Sequence, residues 1–226
     1  SYVIAGLWQK DYRNWVKPAL PWAIFSTALM ALGQLMGAYW AYETLSFGGY
    51  WSWDPVENAV YVPWIIQVAS IHTMIIFKNN NSALKTSIIL VITTFILILY
   101  ATFLTRSGIL GNASVHSFTD LGLSGQLLIY LLAFLTASVL LMAWRWKEIP
   151  TSEKEASTYS REFWIFMGAT VLGLMGFQVI AGTSIPVYNA ILQQFGIGSN
   201  MAPPADQALF YSKFQLWGGV LIAILS

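Results

Sequence analysis

The stretch Thr86-Ser87-Ile88-Ile89-Leu90-Val91-Ile92-Thr93-Thr94-Phe95-Ile96-Leu97-Ile98-Leu99-Tyr100-Ala101-Thr102-Phe103-Leu104-Thr105 carries no charge over twenty residues. A helix that crosses a bilayer needs about 20 predominantly apolar residues, so this run reads as a membrane span. Moving outward from it, four further runs of that kind cover residues 18–38, 58–77, 125–146 and 162–185. A sixth opens near Phe214 and is cut short at Ser226. Tyr2 to Trp8 reads as the last turns of an earlier span. The expected fold is all-α: a polytopic transmembrane helical bundle with a Trp-rich extracytoplasmic loop. It is read as a single domain over residues 1–226 that belongs to a longer membrane protein.

Composition supports a bilayer as solvent. Of 226 residues, 57% are hydrophobic and 9% charged, against about 25% charged in a soluble domain. A surface so poor in charge cannot be solvated by water alone. The formal net charge is +1, which gives no reason to expect nucleic-acid binding, since that needs a concentrated basic patch. There are no cysteines. That removes disulfides, thiolate metal sites and a covalent C-x-x-C-H haem attachment within this chain.

The connections alternate in charge. Lys10, Arg13, Lys17, Lys78, Lys85, Arg145, Lys147, Lys154 and Arg161 fall on one side of the spans, and Arg106 and Lys213 on the other. The positive-inside rule assigns the first set to the cytoplasm. Segments 39–57, 106–124 and 186–213 then face outward, which in a bacterium with this chain in its inner membrane is the periplasm. The last of these, rich in Gly and Pro, reads as an irregular connection or a partner surface.

The first outer loop is unusual. Tyr39, Trp40, Tyr42, Phe47, Tyr50, Trp51 and Trp53 crowd into fifteen residues. Gly48 and Gly49 interrupt them and permit a tight bend with close backbone approach. In an extended segment Trp51 and Trp53 share one face, giving a flat apolar platform with two N–H donors for a large planar ligand. An interfacial aromatic belt is the competing reading. Asp54-Pro55-Val56-Glu57 carries the signs of a helix start: an N-cap Asp, Pro at the first helical position and an acid three residues after the cap.

Two histidines need an explanation. His72 lies inside the second span, and an ionisable residue there is a functional candidate. It reads either as an imidazole bonded to a neighbouring helix or as a ligand to an embedded haem, because neutral imidazole coordinates iron without bringing a charge into the membrane. His116 lies in a short Gly-punctuated outer loop, on the same side as the Trp-rich segment, where it is placed to supply an axial ligand to haem on Trp51 and Trp53. Arg106 suits a propionate fork, with interfacial anchoring as the alternative.

The segment Gly48-Gly-Tyr-Trp-Ser-Trp-Asp-Pro-Val-Glu-Asn-Ala, followed by Pro63-Trp64 and Ile71-His72, resembles the WWD signature of haem-handling membrane proteins. The Pro-Val-Glu-Asn ending is similar to the CcmF family, the haem lyase subunits of multi-component cytochrome c maturation, to which the CcsA and NrfE families are related. Leu104-Thr-Arg-Ser-Gly-Ile-Leu, Ser114-Val-His-Ser-Phe and Ser160-Arg-Glu resemble that family too. Where the family usually has Trp-Trp, this chain has Tyr50-Trp51.

The resemblance implies specific roles. Tyr50, Trp51, Trp53, Asp54, Gly49, Trp40 and Arg106 would bind haem on the outer face. His116 matches one of two loop histidines that ligate that haem, and His72 one of two helix-borne histidines of a b-type haem. The other two have no counterpart in this sequence. The implied activity is that of a haem lyase, attaching haem to the thiols of a C-x-x-C-H sequence. Its implied partners are a periplasmic haem chaperone, apocytochrome c and thiol-handling maturation subunits. No catalytic acid–base pair is evident.

Three other functions compete, one of them a structural or interaction module whose aromatics are belt residues. A haem transporter or exporter needs a polar path through the bilayer, for which the spans offer the scattered Gln34, Gln67, His72 and Gln178. A b-haem electron-transfer subunit pairs histidines on facing helices, and this chain has one span histidine.

Overall fold

The computed structural model describes residues 2–45, 49–80, 82–111, 113–114, 122–151 and 160–225. Among them are eight helices: α1 (Tyr2–Gln9), α2 (Val16–Thr44), α3 (Pro55–Asn80), α4 (Leu84–Arg106), α5 (Ser124–Arg145), α6 (Arg161–Thr183), α7 (Ile185–Gln194) and α8 (Gln207–Leu225). Six are long and apolar enough to cross a membrane: α2, α3, α4, α5, α6 and α8. The chain is a multi-pass, all-helical membrane protein.

The bundle is built around α3, which packs against α2, α4 and α6, while α5 lies on α4 and α8 on α6. Over half of the apolar window of α3 is buried (56%), against 6% for α2. The first helix of the bundle therefore shows lipid or further protein most of its apolar surface, including Trp22, Leu35 and Met36.

Bilayer lipid gives helices little hydrophobic reason to associate, so contact depends on close fit and on interhelical hydrogen bonds. Both are visible. A side chain at Gly176 of α6 would come within 3.0 Å of Ile66 on α3, and one at Gly218 of α8 would strike Met175 of α6. Gln67 of α3 donates to Ala23 O (3.2 Å) and Ser26 Oγ (2.6 Å) of α2. Gln215 of α8 donates to Met175 O and to Gln178 Oε1 of α6, both at 3.1 Å.

Helix ends follow local chemistry, with three departures from the sequence reading. First, α2 runs on to Thr44, so Tyr39, Trp40 and Tyr42 sit on its last turns rather than in a loop. Nothing there breaks a helix until Leu45 turns extended. Second, segment 186–213 is not wholly irregular. Pro186, in the first turn, starts α7, a position where its missing N–H is not needed. The return is pinned by Asn189, whose Oδ1 accepts from Ser199 Oγ and Met201 N at 3.0 Å and whose Nδ2 donates to Met201 O at 2.9 Å. Third, α8 begins at Gln207, capped by Asp206 accepting from Leu209 N at 2.8 Å. Lys213 interrupts the apolar run and hides that earlier start.

The basic connections meet at one end. Glu148, after α5, pairs with Lys10 at 3.3 Å and accepts from Tyr12 Oη at 2.7 Å. Lys85 lies over the ring of Trp146, 4.7 Å from its centre. The Tyr12 hydrogen bond is the main influence holding the Glu148 carboxyl below its ordinary range.

Candidate functional site

The Trp-rich loop is fixed to α3 by the five residues that follow Trp53. Asp54 Oδ1 accepts from Val56 N at 2.9 Å, capping the helix. Glu57 folds back, and its Oε2 accepts from Ser52 N (2.9 Å), Ser52 Oγ (3.3 Å) and Asp54 N (3.1 Å). Asn58, with no exposed surface, donates to Trp53 O at 3.0 Å. The Asp-Pro-Val-Glu-Asn tail is thus a clamp, as the capping signature predicts, with Asn58 adding a bond the sequence did not announce.

The clamp holds an unfavourable backbone. Trp53 has φ +59°, a left-handed conformation uncommon for a bulky residue and one that persists only where its surroundings over-determine it. This overturns the flat platform. A left-handed residue breaks the extended alternation, and the indoles of Trp51 and Trp53 meet edge to face, 5.8 Å apart at 88°. Both pack against Tyr61, at 6.1 and 5.6 Å, but beyond it they face different helices. Trp53 turns toward α8, donating from Nε1 to Ser212 Oγ at 2.9 Å and lying 5.6 Å from the rings of both Tyr211 and Tyr61.

Trp51 turns toward α2. Beneath it lies a cavity of about 560 Å³ between α2, α3 and α4, with Trp40, Glu57, Pro63 and Thr105 in its wall. That volume is within the range of about 300–1,000 Å³ found for small-molecule sites. Gly33 and Gly37, one turn apart on α2, also line it. A Cβ on either would meet nothing within 4 Å, so the two glycines widen the cavity rather than let helices touch. Two buried donors there, Trp51 Nε1 and Gln34 Nε2, have no partner among the described residues. Buried polar groups are nearly always hydrogen-bonded, so both await an acceptor.

The remaining expected residues that are described do not line this cavity. Tyr50 is exposed and stacks on Tyr42, 4.4 Å apart at 19°. Gly49 is in open space, with nothing within 4 Å of a Cβ built on it, so the expected close approach does not occur there. Arg106 is the exposed last residue of α4, next to Thr105 of the cavity wall. Phe47, Gly48 and His116 lie outside the described residues. The segment leading to His116 is nevertheless tied to the loop: Ser114 Oγ donates to Asp54 Oδ1 at 2.6 Å, and both residues are buried. Sequence reasoning had no signal for that bond, because it joins residues 60 apart.

His72 belongs to a second, inner site. Its Nδ1 lies 2.7 Å from Val68 O. A carbonyl can only accept, so Nδ1 carries the proton and Nε2 keeps its lone pair. The ring lines a groove of about 820 Å³ between α3, α6 and α8, whose walls include Trp164, Leu172 and Ile222. Among the four polar span residues, Gln67 and Gln178 are committed to interhelical bonds. Only Gln34 and His72 line these two cavities.

Residues 9–110 match the model of the cytochrome c assembly protein family. The cytochrome c-type biogenesis protein CcmF of Haemophilus influenzae is 35% identical over 91% of this chain and 32% of its own length. That of Escherichia coli is 31% identical over 99% of this chain and 33% of its own. This chain therefore spans about a third of the length of these bacterial relatives. The CcmF N-terminal-like mitochondrial protein 2 of Arabidopsis thaliana is 34% identical, over 65% of this chain and 68% of its own length. A solved structure named cytochrome c haem lyase CcmF superposes with TM-score 0.71 and 26% identity, over 99% of this chain and 31% of that one. The clamp that seats the Trp-rich loop, the helical frame and these relatives agree, and the chain belongs to the CcmF family of cytochrome c-type biogenesis proteins.

Proposed function

We propose that this chain is part of a haem lyase that receives haem at its outer end and presents it for attachment to apocytochrome c. The observation that carries this reading is the cavity under Trp51, apolar in wall, with two buried donors lacking an acceptor. Such a space suits a large, mostly apolar ring with a few polar edges. Trp51 and Trp40 supply aromatic wall, and Gln34 and Trp51 supply the donors. Arg106 stands at the rim for a propionate. His116 follows Ser114, which Asp54 holds beside the loop, and it is the axial ligand in this reading. The thiols of a reduced C-x-x-C-H then add across the haem vinyl groups, S–H across C=C. This chain orients the haem and contributes no thiol of its own, having no cysteine. A haem chaperone and thiol-handling subunits are the partners this chemistry requires; this reading sets the chain in the bacterial inner membrane, and the charge bias supports the Trp-rich loop facing the periplasm.

His72 would hold a second, b-type haem through Nε2. Its Nδ1–H bond to Val68 O fixes the tautomer that a ligand needs, and the groove beside it is apolar enough for a porphyrin. Bound there, a haem would supply one-electron chemistry to the outer site.

The test is a reduced-minus-oxidised visible spectrum of the intact membrane protein. His72→Ala should remove a b-type signal. His116→Ala should leave that signal and abolish holocytochrome formation. If both variants mature cytochromes normally and the parent carries no haem, the Trp-rich segment is an interfacial belt and the reading fails.

A further inference from the structure

Among the described residues, one charged side chain lines the inner groove: Arg161, the first residue of α6. Its position there needs a reason. The N-terminal end of a helix carries a partial positive charge and disfavours a cation in its first turn. Ser160 already caps α6, its Oγ accepting from Phe163 N at 3.2 Å, so Arg161 is not required to start the helix. Among the described residues it joins neither of the ion pairs at this end, Lys10–Glu148 and Arg145–Glu148. Glu162 follows it but does not line the groove.

The register with His72 is informative. Helices α3 and α6 run antiparallel, with Gly176 against Ile66. Counting from that contact at 1.5 Å per residue, Arg161 lies roughly 13 Å further inward than His72. A flexible Arg side chain reaching outward and a porphyrin acid reaching inward can close such a gap from both ends. The groove between them is walled mainly by apolar side chains, among them Ile75, Trp164 and Ile165.

We infer that Arg161 is the carboxylate anchor of the inner site. It pairs with a propionate of the haem whose iron His72 holds, and so sets that haem edge-on with its acids toward the basic end of the bundle. The inference rests on the embedded-haem reading of His72. A guanidinium fits the role, since its planar fork matches a carboxylate and stays charged at any relevant pH. The paired charge also bears on electron affinity. A cation near the propionate favours ferrous over ferric haem, because ferric haem carries one more positive charge.

The experiment compares Arg161→Gln, Arg161→Lys and His72→Ala in the intact protein purified in detergent, reading b-haem per protein and the midpoint potential. Arg161→Gln should lose several-fold in haem content, and the haem that remains should titrate at a lower potential. Arg161→Lys, which keeps the charge and its effect on topology, should recover the potential more fully than the occupancy. Arg161→Lys should also elute as the parent does in size exclusion, which separates haem loss from misfolding. If Arg161→Gln matches the parent in content and potential while His72→Ala is empty, Arg161 is only a topological charge and the inference fails. If His72→Ala keeps its b-haem, the embedded-haem reading itself falls.

Discussion

The outer and inner cavities of this bundle are of comparable size but are built on opposite principles. At the outer end, one short loop is over-determined: Asp54, Glu57 and Asn58 bind its backbone, and Trp53 is locked onto α8. The cavity beneath it is left with two donors that have no acceptor among the described residues. At the inner end the described lining comes from helices alone. His72 and Arg161 project from regular helices, the first within α3 and the second at the start of α6. Under the proposed function, the outer site would exchange its occupant, which calls for rigid walls around an open space. The inner site would keep its occupant, which calls for a fixed ligand nitrogen and an anchoring charge. Holding a site by strain and clamping suits transfer, and holding it by helix register suits retention.

The clamp offers the sharpest way to break that contrast. Glu57→Ala removes the acceptor for two loop N–H groups, of Ser52 and Asp54. Leaving buried donors unsatisfied should lower stability by about 1–3 kcal/mol. Thermal unfolding in detergent, with limited proteolysis at residues 49–53, would read it. The b-haem signal at His72 should survive, and its loss would mean that the two sites are not independent.

A smaller effect is expected at Gln34. Gln34→Leu replaces an unpartnered donor with an apolar group of similar size, so the haem-free protein should gain about 1 kcal/mol or less. Haem affinity at the outer site should meanwhile weaken several-fold by titration. A destabilised apo-protein would show that the amide already has a partner, and the under-satisfied description of the cavity would fail.

The least effect belongs to the surface network at the basic end. Glu148 has its carboxyl held low in the folded state, chiefly by Tyr12. A depressed carboxylate stabilises above its unfolded pKa, and that contribution is lost as pH falls through the lower folded value. Tyr12→Phe should therefore flatten the acid side of the stability profile slightly and leave both haem sites unchanged. Exposed ion pairs contribute little in general, so a large shift would mean that this end is coupled to the bundle more tightly than its exposure suggests.

Much of this was legible from the residues alone. Five spans, the helix start at Pro55 and the convergence of the basic connections follow from composition and local rules, because a bilayer makes hydrophobic length decisive and capping is local. What was not legible required contacts between distant residues. The flat indole platform failed because Trp53 adopts a left-handed backbone, held between the local clamp of Asp54, Glu57 and Asn58 and the distant Tyr211 and Ser212 of α8. The Ser114–Asp54 bond, the position of Gln34 under Trp51 and the sharing of one groove by Arg161 and His72 likewise arise only when helices are packed.

The sequence by itself determined that the chain spans a membrane as helices, that its basic connections gather at one end and which loop carries the family's signature. Each of those depends on hydropathy, charge or short-range hydrogen bonding, quantities that adjacent residues carry. Only the tertiary structure decided that Trp51 and Trp53 face different helices beyond their shared neighbour Tyr61 and that the two cavities lie between helices rather than on an aromatic surface. Their walls are contributed by spans far apart in the chain, whose relative rotation and register are set by packing.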